Sequence, residues 1–210
     1  MNRYQSVHVL GMGCWQLGGT SSLNGRINGY GAIDKDMALA TVHEALEQGI
    51  RFYDTAASYG HGRSEELLGE GLGNRRSEVT ICTKFGMRKT RSGEWLLDFS
   101  PSHTDQAINE ALGRLGTNHI EILLLHGPPD DTNWHRFDRS ALEKAKAEGR
   151  IGGYGVSVRS MKGARNAVVA GFGRYIEVVM NALDRRAGSL RERMDDQGQQ
   201  LIARAPLASG

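Results

Sequence analysis

The strongest constraint on this chain is a junction that recurs along it. A segment with helical apolar spacing stops at a glycine, and a short β-type apolar run follows almost at once. Gly49 precedes the run 50–54, Gly116 precedes 120–126, Gly149 precedes 151–158, Gly171 precedes 175–181 and Gly198 precedes 201–205. Glycine just past a helix end supplies the left-handed residue that terminates the helix. A chain punctuated in this way is built from repeated helix–strand units.

The helical segments have one apolar face each. Ala107, Ile108, Ala111, Leu112 and Leu115 align at three- and four-residue spacing, with Ser102 or Thr104 as the expected cap. Ala38, Val42, Ala45 and Leu46 do the same after Asp34 or Asp36, and Ser140 and Ser160 are candidate caps for helices near 140–148 and 160–170. The strands are short and apolar on both faces, as in Ile122 to Leu125, which suits a buried parallel sheet. Seven strands are expected near 8–15, 50–54, 78–84, 119–126, 151–158, 175–181 and 200–205, alternating with about six helices. Right-handed βα repeats form either an open doubly wound sheet or a closed barrel. The dinucleotide fingerprint G-x-G-x-x-G fails, because Gly11-Met12-Gly13 runs on into Cys14, Trp15 and Gln16. The expectation is therefore an α/β fold, a TIM-type (β/α)8 barrel that is incomplete, with about seven βα strands and the eighth unit missing, as a single domain over residues 1–210. The stretch from Thr20 to Ala32, rich in Gly and Asn, reads as a poor strand that would not fill the gap. A partner chain, most simply a second copy in a homodimer, is expected to cover the open edge.

Charge and cysteine content exclude several classes. Lys and Arg number 26 against 24 Asp and Glu, a formal charge of +2. The densest basic stretch, Arg185 to Arg193, also holds Glu192 and reads as a solvated helix face, so no nucleic-acid partner is expected. Cys14 and Cys82 cannot form a disulfide framework, lack metal-ligand spacing and sit in apolar runs as buried thiols. The run from Ile122 to Leu125 is far too short to span a bilayer, and Met1 to Leu10 has no apolar core of a signal peptide. The expectation is a cytoplasmic protein with no membrane partner and no metal.

In a barrel, chemistry gathers at the carboxyl ends of the strands. Those positions carry Asp54, Lys84, His126, Ser157 and Asn181. Asp54 alone could cap a loop, and His126 alone could be a satisfied core histidine. Lys84 is different, because a desolvated ammonium needs a carboxylate, and Asp54 is the candidate. The loop after Asp54 adds Tyr59.

The segment Asp54-Thr55-Ala56-Ala57-Ser58-Tyr59-Gly60-His61-Gly62-Arg63-Ser64-Glu65 resembles the active-site signature of the aldo-keto reductases. The resemblance continues through Thr83-Lys84-Phe85-Gly86, Asp98-Phe99-Ser100-Pro101, Leu124-Leu125-His126, Glu148-Gly149-Arg150-Ile151, Gly155-Val156-Ser157 and Asn181-Ala182-Leu183-Asp184-Arg185 to Ala205-Pro206-Leu207-Ala208-Ser209-Gly210. It implies a catalytic tetrad of Asp54, Tyr59, Lys84 and His126. The implied activity is hydride transfer between NADPH or NADP (with NAD as an alternative) and a small carbonyl or alcohol substrate. A carbonyl that receives a hydride develops charge on oxygen and needs a proton. Tyr59 would supply it, Lys84 would ease the ionisation of the phenol, Asp54 would hold Lys84, and His126 would orient the carbonyl. The resemblance also implies cofactor contacts from Gly13, Cys14, Trp15, Asp54, Ser157, Glu177 and Arg204, and a substrate pocket walled by Trp15, Trp95 and Trp134.

Three positions depart from the family pattern. Val158 stands where an Asn often binds the nicotinamide carboxamide, Glu177 where a Gln usually does, and Arg204 where an aromatic ring often stacks. The family's adenosine and 2′-phosphate contacts come chiefly from the eighth strand and the following helix, so weakened cofactor binding is expected. Two further classes stay open: a non-redox dehydratase, epimerase or cyclase using Tyr59 and Lys84 as acid and base, and a cofactor-sensing or structural module.

Overall fold

The structure, a computed structural model, describes residues 10–23, 26–90 and 94–208. Each β-type run forms a strand, and among the described residues seven strands lie side by side in chain order. They are β1 (Met12–Gly13), β2 (Phe52–Asp54), β3 (Thr80–Phe85), β4 (Ile120–His126), β5 (Ile151–Ser157), β6 (Tyr175–Val179) and β7 (Gln200–Arg204). Every neighbouring pair is parallel. The crossovers carry α1 (Lys35–Glu47), α2 (Arg63–Leu72), α3 (Pro101–Leu115), α4 (Ser140–Ala147), α5 (Met161–Val169) and α6 (Arg191–Asp196). β1 and β7 end the strand order and do not pair with each other among the described residues. This is the incomplete (β/α)8 barrel expected from the repeat. The five junction glycines, Gly49, Gly116, Gly149, Gly171 and Gly198, all lie at positive φ.

The helix starts correct two expectations. Asp34 caps α1 by accepting from the Met37 amide, and Ser160 caps α5 through the Gly163 amide. The α3 cap, however, is Ser100 rather than Ser102 or Thr104, because Pro101 occupies the first helical position, where its missing N–H costs nothing. Ser140 is the first residue of α4 rather than its cap, and its amide donates to Asp138. The 20–32 stretch does contain strands. Ser21–Leu23 pairs antiparallel with Arg26–Asn28, away from the main sheet, and Met87–Lys89 pairs with Trp95–Leu97 in a second hairpin. Local antiparallel pairing satisfies these backbones where intrinsic propensity is weak. Residues 8 and 9 of the first expected strand, and Ser209 and Gly210, lie outside the described residues.

Period two along the strands divides two cores. One face of the sheet packs on the helices: Ile81, Leu123, Leu125, Val156, Ile176 and Val178 join Val42, Leu68, Ile108, Leu115 and Ala167 in one buried cluster. The inner face holds a smaller plug of Cys82, Ile122, Leu124 and Tyr175, with Phe52 and Ile202 against it. Burying each large apolar side chain contributes about 1.5–3 kcal/mol, so the larger cluster carries most of the fold. α2 adds a buried ion pair beneath the site. Glu65 accepts from Thr83 of β3 at 2.5 Å and pairs with Arg114 of α3 at 2.6 Å. Among the described residues no helix is long and apolar enough to cross a membrane.

Candidate active site

Two residues beyond the last plug residue of each of five strands, toward the carboxyl end, stands a polar side chain. Asp54 follows Phe52, Lys84 follows Cys82, His126 follows Leu124, Glu177 follows Tyr175 and Arg204 follows Ile202. The strand register aligns Gly13 with Asp54, and Ser157 with both His126 and Glu177. Alternation therefore delivers one polar layer on top of an apolar one.

Tyr59 comes from the β2–α2 loop. A Cβ on Gly60, whose φ is +59°, would lie 2.0 Å from the carbonyl oxygen of Gly18, so only glycine allows the two turns this close. That contact presses the Tyr59 turn onto the turn that carries Trp15. The Trp15 ring lies 6.3 Å from that of Tyr59 and meets Tyr30 edge-on at 5.0 Å. His61 stacks on Trp95, at 5.3 Å between ring centroids.

Lys84 is the electrostatic centre. Its side chain is buried, and its Nζ donates to Asp54 Oδ1 at 2.5 Å and to the Thr55 carbonyl at 3.0 Å. Glu177 Oε2 lies 3.4 Å from the same nitrogen. Burial opposes the charge, but Asp54 and Glu177 outweigh it and hold the Lys84 ammonium well above its ordinary pKa. The same nitrogen stands 5.4 Å from the centre of the Tyr59 ring. Burial pushes the Tyr59 phenol up to about 12; the charge of Lys84 and its hydrogen bond pull it down, while Asp54 and Glu177 push it up. His126 meets Tyr59 edge-on at 6.0 Å, and its Nδ1 lies 3.3 Å from Ser58 Oγ. Burial, with the Lys84, Arg159 and Arg204 charges, lowers its imidazole to about 3, so the ring is neutral at neutral pH.

Glu177 is wholly buried. Ser157 Oγ donates to its Oε1 at 2.8 Å, and Arg204 Nε approaches the same oxygen at 3.7 Å. Burial and the Asp54 charge push its carboxyl up to about 7, against Lys84, Ser157 and Arg204. Burial likewise raises both the Cys14 and Cys82 thiols, which are free and stay protonated. Donor atoms of Asp54, Cys82 and Glu177 lie within 4.8 Å of one another, but both carboxylates already face the Lys84 ammonium.

The structure thus gathers Asp54, Tyr59, Lys84, His126, Trp15, Ser157, Glu177 and Arg204, and Cys14 donates its amide to the Asp54 carbonyl beside Gly13. Trp95 meets His61, two residues after Tyr59 in the chain. Trp134 does not join. It is buried against Phe172 at 4.1 Å and Phe137 at 5.6 Å, where an apolar ring among aromatic partners anchors its loop. Asn181 lies beyond β6 and is spent on a turn, accepting from the Leu183 and Asp184 amides. Ser58, the partner of His126, was not singled out from the sequence. Its position next to Tyr59 was the available signal, but no spacing relates it to a histidine 68 residues away.

The class of protein is thus an incomplete parallel βα barrel with aspartate, lysine and histidine at the carboxyl ends of its strands and a tyrosine beside them on the loop after β2. The chain matches the aldo/keto reductase family over residues 9–210, and it belongs to that family. It is 31% identical over 207 residues to the uncharacterized oxidoreductase YqkF of Bacillus subtilis, across 97% of this chain and 62% of that relative. It is 34% identical over 137 residues to L-galactose dehydrogenase of Arabidopsis thaliana, across 61% of this chain and 40% of that relative. Among solved structures, the holo form of aldo-keto reductase AKR11C1 from Bacillus halodurans superposes with a TM-score of 0.80 at 28% identity, covering 96% of this chain and 63% of that one. The chain therefore spans less than two thirds of the length of each of these relatives.

Proposed function

We propose that the chain carries the catalytic centre of an NAD(P)H-dependent oxidoreductase that interconverts a small carbonyl compound and its alcohol. The observation that supports this best is the shared placement of Tyr59 beside both Lys84 and His126, with Asp54 closing the ion pair.

The residues present fit a nicotinamide. Glu177 Oε2 is buried without a hydrogen-bond partner, next to the Ser157 hydroxyl and the partly exposed Arg204, which offers acceptor and donor groups to a carboxamide. Trp15 and Tyr59 add ring faces at the same mouth. These residues would hold a reduced nicotinamide, which would supply the hydride that turns the carbonyl into an alcohol. Tyr59 gives its phenolic proton to the carbonyl oxygen as charge develops on it, and takes one back from solvent. Lys84 stabilises the transient phenolate, and Asp54 keeps the ammonium in place. With the Ser58 hydroxyl donating to Nδ1, neutral His126 carries its proton on Nε2 and donates a hydrogen bond to the substrate oxygen. The preferred cofactor is NADPH, with NADH as the alternative, and the substrate class is carbonyl or alcohol. Polyhydroxylated aldehydes belong in the first panel tested, given the similarity to a protein named for L-galactose.

The test combines binding and turnover. NADPH and NADH are titrated by nicotinamide and tryptophan fluorescence, and an aldehyde panel is assayed with the wild type and Tyr59→Phe. The variant should bind cofactor unchanged and lose about 10²–10⁴-fold in kcat. Full activity in Tyr59→Phe, or no nicotinamide binding at all, refutes the proposal.

A further inference from the structure

We propose that Glu177 is a positioning residue that serves as a second counter-ion of Lys84, and that its charge sets how much of the ammonium's field reaches the Tyr59 hydroxyl. Its effect on proton exchange rests on the reductase reading; its placement does not.

Four observations carry this. Glu177 is wholly buried on the inner face of β6, with Oε2 at 3.4 Å from Lys84 Nζ. That oxygen accepts no hydrogen bond, whereas Oε1 takes the Ser157 hydroxyl. An ionised carboxylate oxygen in this position is held by the ammonium alone, which is a weak arrangement for a permanent anion. Finally, Lys84 is already paired at 2.5 Å with Asp54, so a single positive charge faces two carboxylates.

The charge count gives the consequence. With Asp54 and Glu177 both ionised, two anions oppose the phenolate of Tyr59 against the cations Lys84 and Arg204. With Glu177 protonated one of those anions is gone, and the field of Lys84 acts on Tyr59 with less opposition. Asp54, Cys82, Tyr59, Lys84 and Arg204 are the titratable and charged groups that influence Glu177 or respond to it. Of these, Lys84 and Arg204 are cationic and Asp54 anionic, while Cys82 and Tyr59 stay neutral near pH 7. Glu177 is then the member of the group whose charge changes near neutral pH, since its carboxyl titrates at about 7. A glutamine at this position would keep the hydrogen bond from Ser157 but lose the switch.

Carboxyl infrared difference spectroscopy on the unliganded protein tests the assignment without turnover. In the folded wild type, one buried carboxyl should lose its proton near neutral pH. The signal should vanish in Glu177→Gln. In Asp54→Asn it should move to lower pH by about one unit or more, because a repelling anion is gone and Lys84 is shared with nothing else. A wild type with no carboxyl titrating near neutrality, or a signal unchanged in Glu177→Gln, overturns the proposal. Where carbonyl reduction is measurable, kcat should show a near-neutral limb that Glu177→Gln flattens. A limb that persists in Glu177→Gln breaks the link to Tyr59. A carboxyl that titrates as stated in a protein that reduces nothing supports the Glu177–Lys84 pairing, and it is the reductase reading that fails.

Discussion

Replacing Lys84 by methionine should destabilise the protein by an amount that grows with pH. Methionine preserves most of the buried volume and removes the charge. Two carboxylates then lose their ammonium, and they respond differently. The side chain of Asp54 is 19% exposed and keeps some water. Breaking a buried pair costs about 3–5 kcal/mol, so its share falls at the lower end of that range. Glu177, with no exposure, instead retreats into its protonated form. In the wild type its carboxyl titrates at about 7, against 4.5 for the free side chain. Holding a proton that the unfolded chain has released costs about 1.4 kcal/mol per pH unit until the native group ionises. At pH 6 both proteins hold that proton, and the cost cancels between them. At pH 8 the wild type has ionised and its cost has stopped growing near pH 7. The variant lacks the opposite charge, which raises the carboxyl by a further unit or more, and its cost still grows. The Lys84→Met penalty should therefore be larger at pH 8 than at pH 6 by about 1.4 kcal/mol. Native His126 is neutral over this range in both proteins and drops out. Urea unfolding followed by tryptophan fluorescence at the two pH values measures the difference, provided the transitions are two-state. The double variant Lys84→Met/Glu177→Gln should lose the pH dependence and keep the Asp54 share. A penalty equal at the two pH values would refute the argument.

Two further outcomes are expected. His126 is neutral when folded, which makes stability fall as pH drops from 6.5 toward about 3, whereas protonated Glu177 makes stability fall as pH rises from 4.5 to about 7. The two slopes oppose each other over the shared window, so Glu177→Gln should unmask a rise in stability with pH of about 1.4 kcal/mol per unit there; equal slopes in variant and wild type contradict this. Arg114→Met leaves the Glu65 carboxylate buried without its cation, and should cost about 3 kcal/mol in urea unfolding, most of it recovered in Arg114→Met/Glu65→Gln.

The sequence was most informative where burial and charge conflict. Lys84 ends an apolar run, and a buried ammonium demands a carboxylate; that argument alone pointed to Asp54, and the two lie in contact. The glycine-stopped helices worked in the same way, since a left-handed residue at a helix end has one common identity. Loops carry no such demand. Trp134 stands in a long loop with no periodicity to orient it, and only the positions of Phe137 and Phe172 reveal that it faces aromatic neighbours. Apolar spacing alone does not choose among Ser100, Ser102 and Thr104 as the α3 cap; Pro101 in the first turn does.

Glu177 shows why one residue's role can escape a reading along the chain. In Tyr175-Ile176-Glu177-Val178-Val179 the glutamate reads as a charge inside an apolar strand, with no sign of which face it takes. Its direction follows from register. Tyr175 fills the inner plug with Cys82, Ile122 and Leu124, so two residues later Glu177 must also point inward, directly opposite Ser157. A slip of one residue would turn Ile176 inward and drive the carboxylate into the apolar layer beneath the helices. Packing of the Tyr175 ring thus decides the electrostatics one layer above it, and Lys84, 93 positions earlier in the chain, receives its second anion because an aromatic side chain fits beside Ile122 and Leu124.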